Sequence, residues 1–144
     1  KNGVSTTRGG TASATAIKYK TNTMSVADQY LIRGGVNYNL KNFAITAGVR
    51  MECVPSEDLI GGSNGFRRPG YVIAAEPTIS YQIKSLNIFA AVPFALERNR
   101  VQSYSDKLRS ADTGTKVVGD AAFADYSVSV GISYRFSNKM HVRM

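Results

Sequence analysis

Asp125-Tyr126-Ser127-Val128-Ser129-Val130-Gly131-Ile132-Ser133-Tyr134-Arg135-Phe136 alternates without a break. Side chains point to opposite faces of a strand with period two. Tyr126, Val128, Val130, Ile132, Tyr134 and Phe136 therefore share one wholly apolar face, and Ser127, Ser129, Gly131, Ser133 and Arg135 share a small or polar one. Both ends of the apolar face are aromatic. A strand of roughly 9–11 residues built this way has the length and pattern needed to cross a membrane as part of a closed sheet.

Working upstream, the same alternation recurs four times. Tyr30, Ile32, Gly34, Val36, Tyr38 and Leu40 alternate with Leu31, Arg33, Gly35, Asn37 and Asn39. After a tight turn at Lys41-Asn42, Phe43, Ile45, Ala47, Val49, Met51 and Cys53 alternate with Ala44, Thr46, Gly48, Arg50 and Glu52. The segment Pro55 to Gly70 is rich in Gly and Pro and reads as a long loop. A third strand sets Tyr71, Ile73, Ala75, Pro77, Ile79, Tyr81 and Ile83 against Val72, Ala74, Glu76, Thr78, Ser80 and Gln82. A short turn at Lys84-Ser85-Leu86 leads to a fourth, with Ile88, Ala90, Val92, Phe94 and Leu96 opposite Asn87, Phe89, Ala91, Pro93, Ala95 and Glu97. A second long polar loop is expected from about Asn99 to Ala122. Pro77 and Pro93 lie at similar distances from the intervening turn, which predicts a paired bulge or bend where the two meet.

The connections thus run tight, long, tight, long. In an outer-membrane barrel the tight turns are periplasmic and the long loops external. Five strands cannot close a barrel, since single-chain bacterial barrels use even numbers from eight upwards and an open edge leaves backbone groups unsatisfied in lipid. The expected fold is all-β: an antiparallel transmembrane β-barrel, of which this chain supplies about five C-terminal strands of a larger up-and-down sheet. At least three further strands then come from upstream or from other chains. Residues 1–26 read as a polar external loop, with a short strand as an option near residues 12–20. Residues 27–136 carry the barrel strands, and residues 137–144 form a tail.

Composition agrees with that reading. The chain has 144 residues, 43% of them apolar, and a net charge of +8. Lys1, Arg8, Lys18 and Lys20 stand in the first 26 residues without an acid, and Lys139 and Arg143 stand in the tail, so the excess sits mainly at the ends. The aromatics follow strand alternation instead of mixing with Lys and Arg on one patch, which argues against a nucleic-acid partner. No apolar run is long enough for a membrane helix. Cys53 is a lone thiol on an apolar face, where it serves as a small hydrophobe. Neither Asp120 with Asp125 nor Glu57 with Asp58 has a calcium-loop spacing or a nucleophile and base beside it, and the one histidine, His141, lies beyond the last strand. No enzyme activity, cofactor or metal is expected.

Charged residues on the polar faces are Arg33, Arg50, Glu52, Glu76, Glu97 and Arg135. They are the candidate lumen lining, with a salt-bridged network filling a narrow barrel as the alternative. Around the external loops Arg67, Arg68, Arg98, Arg100, Asp120 and Asp125 are the candidate mouth residues, able to order loops through Arg–carboxylate pairs or to receive an anionic solute. Tyr38, Phe43, Tyr81, Tyr134 and Phe136 gather near one predicted boundary and Tyr30, Tyr71, Phe123 and Tyr126 near the other, as interfacial girdles do.

The closing aromatic strand resembles the final strand of bacterial outer-membrane barrels. Met24-Ser25-Val26-Ala27-Asp28-Gln29, Gly65-Phe66-Arg67-Arg68-Pro69-Gly70, Arg98-Asn99-Arg100-Val101-Gln102-Ser103 with Asp106-Lys107, and Gly119-Asp120-Ala121-Ala122-Phe123-Ala124-Asp125-Tyr126 resemble an uncharacterised family of outer-membrane barrels from Bacteroidota-type bacteria, grouped loosely with transporters. The resemblance implies the outer membrane of a Gram-negative cell, contact with its lipid and with other barrel strands or outer-membrane proteins, and a porin-like passage for small solutes. The rival function is an accessory barrel anchoring a larger outer-membrane assembly. A soluble β-sandwich, with the same apolar faces as its core, is the third reading.

Overall fold

A computed structural model describes residues 3–5, 10–120 and 123–136. The tail at 137–144 falls outside them. In chain order the elements are β1 (Gly3–Ser5), α1 (Ala14–Lys18), β2 (Thr23–Ser25), β3 (Tyr30–Leu40), β4 (Phe43–Val54), β5 (Gly70–Ile83), β6 (Leu86–Ala91), β7 (Phe94–Arg100), α2 (Tyr104–Thr113) and β8 (Ser129–Tyr134). The fold is mostly antiparallel sheet with two helices. β3 to β8 form a sheet in the order β3-β4-β5-β6-β8, with β7 pairing β5, and this sheet is not closed into a barrel.

Contacts divide the chain into two compact units. One comprises Arg33–Arg50, Ala74–Ala95 and Asp125–Met144. In it the two tight turns fall where alternation breaks, with Lys41 and Lys84 each in a left-handed backbone conformation (φ 53° and 54°) that lets two residues reverse the strand. The Gln82 amide donates to the Asn42 carbonyl at 2.8 Å, tying the two hairpins together beside their turns. Along β5 and β6 the register pairs Ile79 with Ala90 and Tyr81 with Ile88; along β6 and β8 it pairs Ile88 with Ile132 and Ala90 with Val130. Apolar residues thus meet apolar residues on one face.

The two prolines do sit together, but the interruption is one-sided. β5 runs through Pro77, whereas Val92-Pro93 separates β6 from β7. Pro77 accepts from the Val92 amide and Pro93 from the Ser127 amide, both at 3.1 Å. Neither ring nitrogen can return the bond, so adjacent ladders each lose one donor there. This shortens the last strand. Regular pairing covers Ser129–Tyr134, preceded by an isolated bridge between Phe94 and Tyr126 in the same register.

The other unit draws on Lys1–Ile32, Met51–Ile73 and Leu96–Ala124. β1 and β2 pair antiparallel within it. Here the expectation of a strand near residues 12–20 is corrected: the segment is α1, started by the Ser13 hydroxyl, which accepts from the Ala16 amide at 3.2 Å. The loop expected over 99–122 likewise contains a ten-residue helix, α2. Ser103 and Asp106 cap it reciprocally, each side chain accepting the other's backbone N–H, and Gly114 ends it in the left-handed region. The 55–70 segment is a loop up to the first residue of β5, as its glycines and prolines require.

Much of the apolar surface of the sheet is exposed. Among the described residues the buried apolar set is only Val72, Ala74 and Ala91. On the unit containing β6 and β8, Val36, Tyr38, Val130 and Ile132 are 67–73% exposed. Along β4 every residue of the apolar face from Phe43 to Met51 is exposed, while Thr46, Gly48 and Arg50 on the opposite face are half-buried.

Candidate functional site

The deepest charge on the polar face is Glu76 of β5, 5% exposed. Arg33 of β3 meets it with one edge of its guanidinium: Nε donates to Oε2 at 3.0 Å and Nη2 to Oε1. β4 stands between these two strands in the sheet, so the pair spans two interstrand spacings, roughly 9–10 Å. A Cβ on Gly48 would meet the carbonyls of Gly34 and Glu76 at 3.3 Å, and Gly48 lines the same cleft as Arg33 and Glu76. That cleft of about 250 Å³ is lined by Arg33, Asn37, Thr46, Glu76, Thr78 and the glycines between them, with the Thr46 hydroxyl donating to Asn37 Oδ1.

The remaining predicted lining residues are more dispersed. Arg135 shares a second cleft of about 290 Å³ with Gln82, Ser85, Asn87 and Ser133, all on the polar face beside the turns. Arg50 and Glu52 are half-buried on β4. Glu97 is exposed and accepts the Tyr71 hydroxyl at 2.9 Å. Near the same turns Phe43 stacks on Tyr81 at 4.4 Å and Tyr134 meets Phe136 edge-on at 4.8 Å, so part of the predicted aromatic group is in contact.

In the other unit the mouth candidates separate by role. Arg67 is 2% exposed. It donates to both Asp58 oxygens at 3.1 and 2.9 Å, to the Ser25 hydroxyl at 2.6 Å and to the Pro55 carbonyl at 3.3 Å, fastening the 55–67 loop to β2. Those hydrogen bonds, with another from the Asp28 amide, hold the Asp58 carboxyl below its ordinary value. Arg68 remains exposed, with its guanidinium over the Phe66 ring. Arg100 pairs with Asp120 at 3.0 Å in an open cleft of about 320 Å³ that Arg98 and Phe123 also line, and Arg98 donates to the Phe123 carbonyl. Asp125 gives its carbonyl to the Ala95 amide at 2.8 Å.

Two further ion pairs had no counterpart among the sequence candidates. Lys107 of α2 holds Glu57 at 2.8 Å and lowers its pKa; Lys18 and Tyr19 of α1 hold Asp112 of α2 at 2.6 and 2.5 Å, raising the pKa of Lys18 and lowering that of Asp112. Asn37, Thr46, Gly48 and Thr78 were readable as polar-face positions, but only strand register could place them together. Among the described residues no group of three or more His, Cys, Asp or Glu side chains is placed to hold a metal ion. No family model, curated protein or solved structure matches the chain.

Proposed function

We propose that this chain supplies strands of a Gram-negative outer-membrane β-barrel whose charged, glycine-lined lumen passes small solutes. One observation carries the reading: the apolar face of the sheet is exposed along β3, β4 and β8, while on β4 and β5 the opposite face is the more buried one and holds Arg50 and Glu76, with Val130 70% exposed and Glu76 5%. Exposed apolar surface on this scale marks a membrane or a partner, and a charge on the lipid side would cost about 2–4 kcal/mol at mid-membrane. Phe43, Tyr81, Tyr134 and Phe136 at the tight-turn end suit an interfacial girdle. Sheet edges at β3 and β8 require further strands, because lipid offers no partner for free N–H and C=O groups. No helix among the described residues is long and apolar enough to cross a membrane.

The test uses the natural full-length protein. A closed barrel needs detergent, migrates faster on gels unheated than boiled, and opens steady channels in a planar bilayer. Free solubility without a mobility shift overturns the barrel. A heat-modifiable protein that never conducts supports instead an accessory barrel in a larger assembly. That second reading draws on Leu59 and Ile60, 87% and 91% exposed on a loop whose base Arg67 pins.

A further inference from the structure

We infer that the cleft over Gly48 is a selection site for small uncharged polar solutes, of the polyol or monosaccharide class; this rests on the porin-like reading and names its substrate. The cleft's two charges pair with each other, so its net charge is zero. Arg33 gives the N–H groups of one guanidinium edge, Nε and Nη2, to Glu76, and Glu76 is too enclosed to take a second partner from solution. An ion entering would shed water and find a neutralised pair in return, which offsets little of its desolvation.

Apart from the remaining N–H donors of Arg33, the hydrogen-bonding groups that line the cleft are neutral. Asn37 accepts from Thr46 and keeps its amide donors; Thr78 adds a hydroxyl that can donate or accept. Mixed donors and acceptors of this kind match a molecule that carries several hydroxyls, since each can do both. Gly34, Gly35 and Gly48 leave the floor without side chains. At about 250 Å³ the cleft has room for a guest of monosaccharide size.

The experiment is liposome swelling by the full-length protein in glucose, gluconate and glucosamine, which are similar in size and differ in charge. Glucose is expected to enter at least threefold faster than either charged analogue, and to produce transient blocks of the ion current in a planar bilayer. Thr78→Val, which keeps the strand-favouring shape and removes the hydroxyl, should shorten those blocks severalfold. Gly48→Val should reduce glucose entry at least fivefold, with heat-modifiability confirming that each variant has folded. Equal or faster entry of gluconate or glucosamine, or blocks insensitive to Thr78→Val, overturns the neutral-solute site while leaving the pore in place. Absence of swelling in all three solutes removes the pore itself, and this inference with it.

Discussion

Arg33→Met should destabilise the protein more than Glu76→Gln, although both break the same ion pair. The asymmetry comes from burial: the Glu76 side chain is 6% exposed and that of Arg33 is 55% exposed. Removing the arginine leaves a carboxylate enclosed without its counter-charge. Removal of one partner from a buried pair costs about 3–5 kcal/mol, and the open cleft above this one places it near 3 kcal/mol. Removing the charge of Glu76 frees an arginine that already reaches water, and Gln keeps one acceptor in place, so the loss is close to that of a hydrogen bond, about 1 kcal/mol. In the double variant neither charge is stranded, so it should be more stable than Arg33→Met alone, with a coupling of about 2 kcal/mol. The assay is urea unfolding of the full-length protein refolded in detergent, following the folded fraction as the fast-migrating gel band. Equal costs for the two single variants, or costs that simply add, would refute the claim that a stranded Glu76 sets the penalty.

Three other expectations follow from named contacts. A Cβ on Gly131 would lie 2.3 Å from Phe89 Cζ, so Gly131→Ala should lose about 1–3 kcal/mol by overpacking, and Phe89→Leu should restore most of it in the same unfolding assay. Arg67 lowers the Asp58 pKa, so the stability that this contact gives the loop is complete above the unfolded-state value and is lost as pH falls through the lowered folded value. Exchange of amides in residues 55–67, followed by mass spectrometry, should therefore stay slow relative to intrinsic rates at neutral pH, lose protection only in strong acid, and lack it at every pH in Asp58→Asn. Val130→Arg should cost about 2–4 kcal/mol in a bilayer and Ser129→Arg well under half of that, because β8 sends the two side chains to opposite faces; comparable losses would contradict the face assignment.

Much of the sheet was legible because alternation is a one-dimensional signal: the faces of β4, β5, β6 and β8 and both tight turns follow from it directly. What escaped is of two kinds. Helix α2 carried its own marks, Ser103 with Asp106 three residues on and Gly114 behind it, yet its polar composition has no apolar stripe and masked them. In α1 the alternation of Ala14, Ala16 and Ile17 is too short to separate helix from strand, and the Ser13 cap decides it. The site depended on register. Alternation puts Arg33, Gly48 and Glu76 on one face, but that Arg33 crosses β4 to reach Glu76 follows only once β3, β4 and β5 lie side by side. Arg67 was grouped with solvent-facing mouth residues because nothing local marks an arginine whose partners lie 9 and 42 positions away. The break at Pro93 was anticipated, but its effect on the last strand was not, since a missing donor acts on the neighbouring ladder.

The proposed barrel requires that the apolar face of the sheet meets lipid. The most direct measurement places a spin label at each position from 126 to 134 of the full-length protein in lipid bilayers, with Cys53 replaced by Ser, and compares collisions with oxygen, which concentrates in lipid, and with a polar nickel complex, which stays in water. Labels at 126, 128, 130, 132 and 134 should favour oxygen and those between them the nickel complex, with a period of two residues. The reverse phase, or no period at all, would contradict the lipid-facing assignment and return these apolar residues to a protein interior.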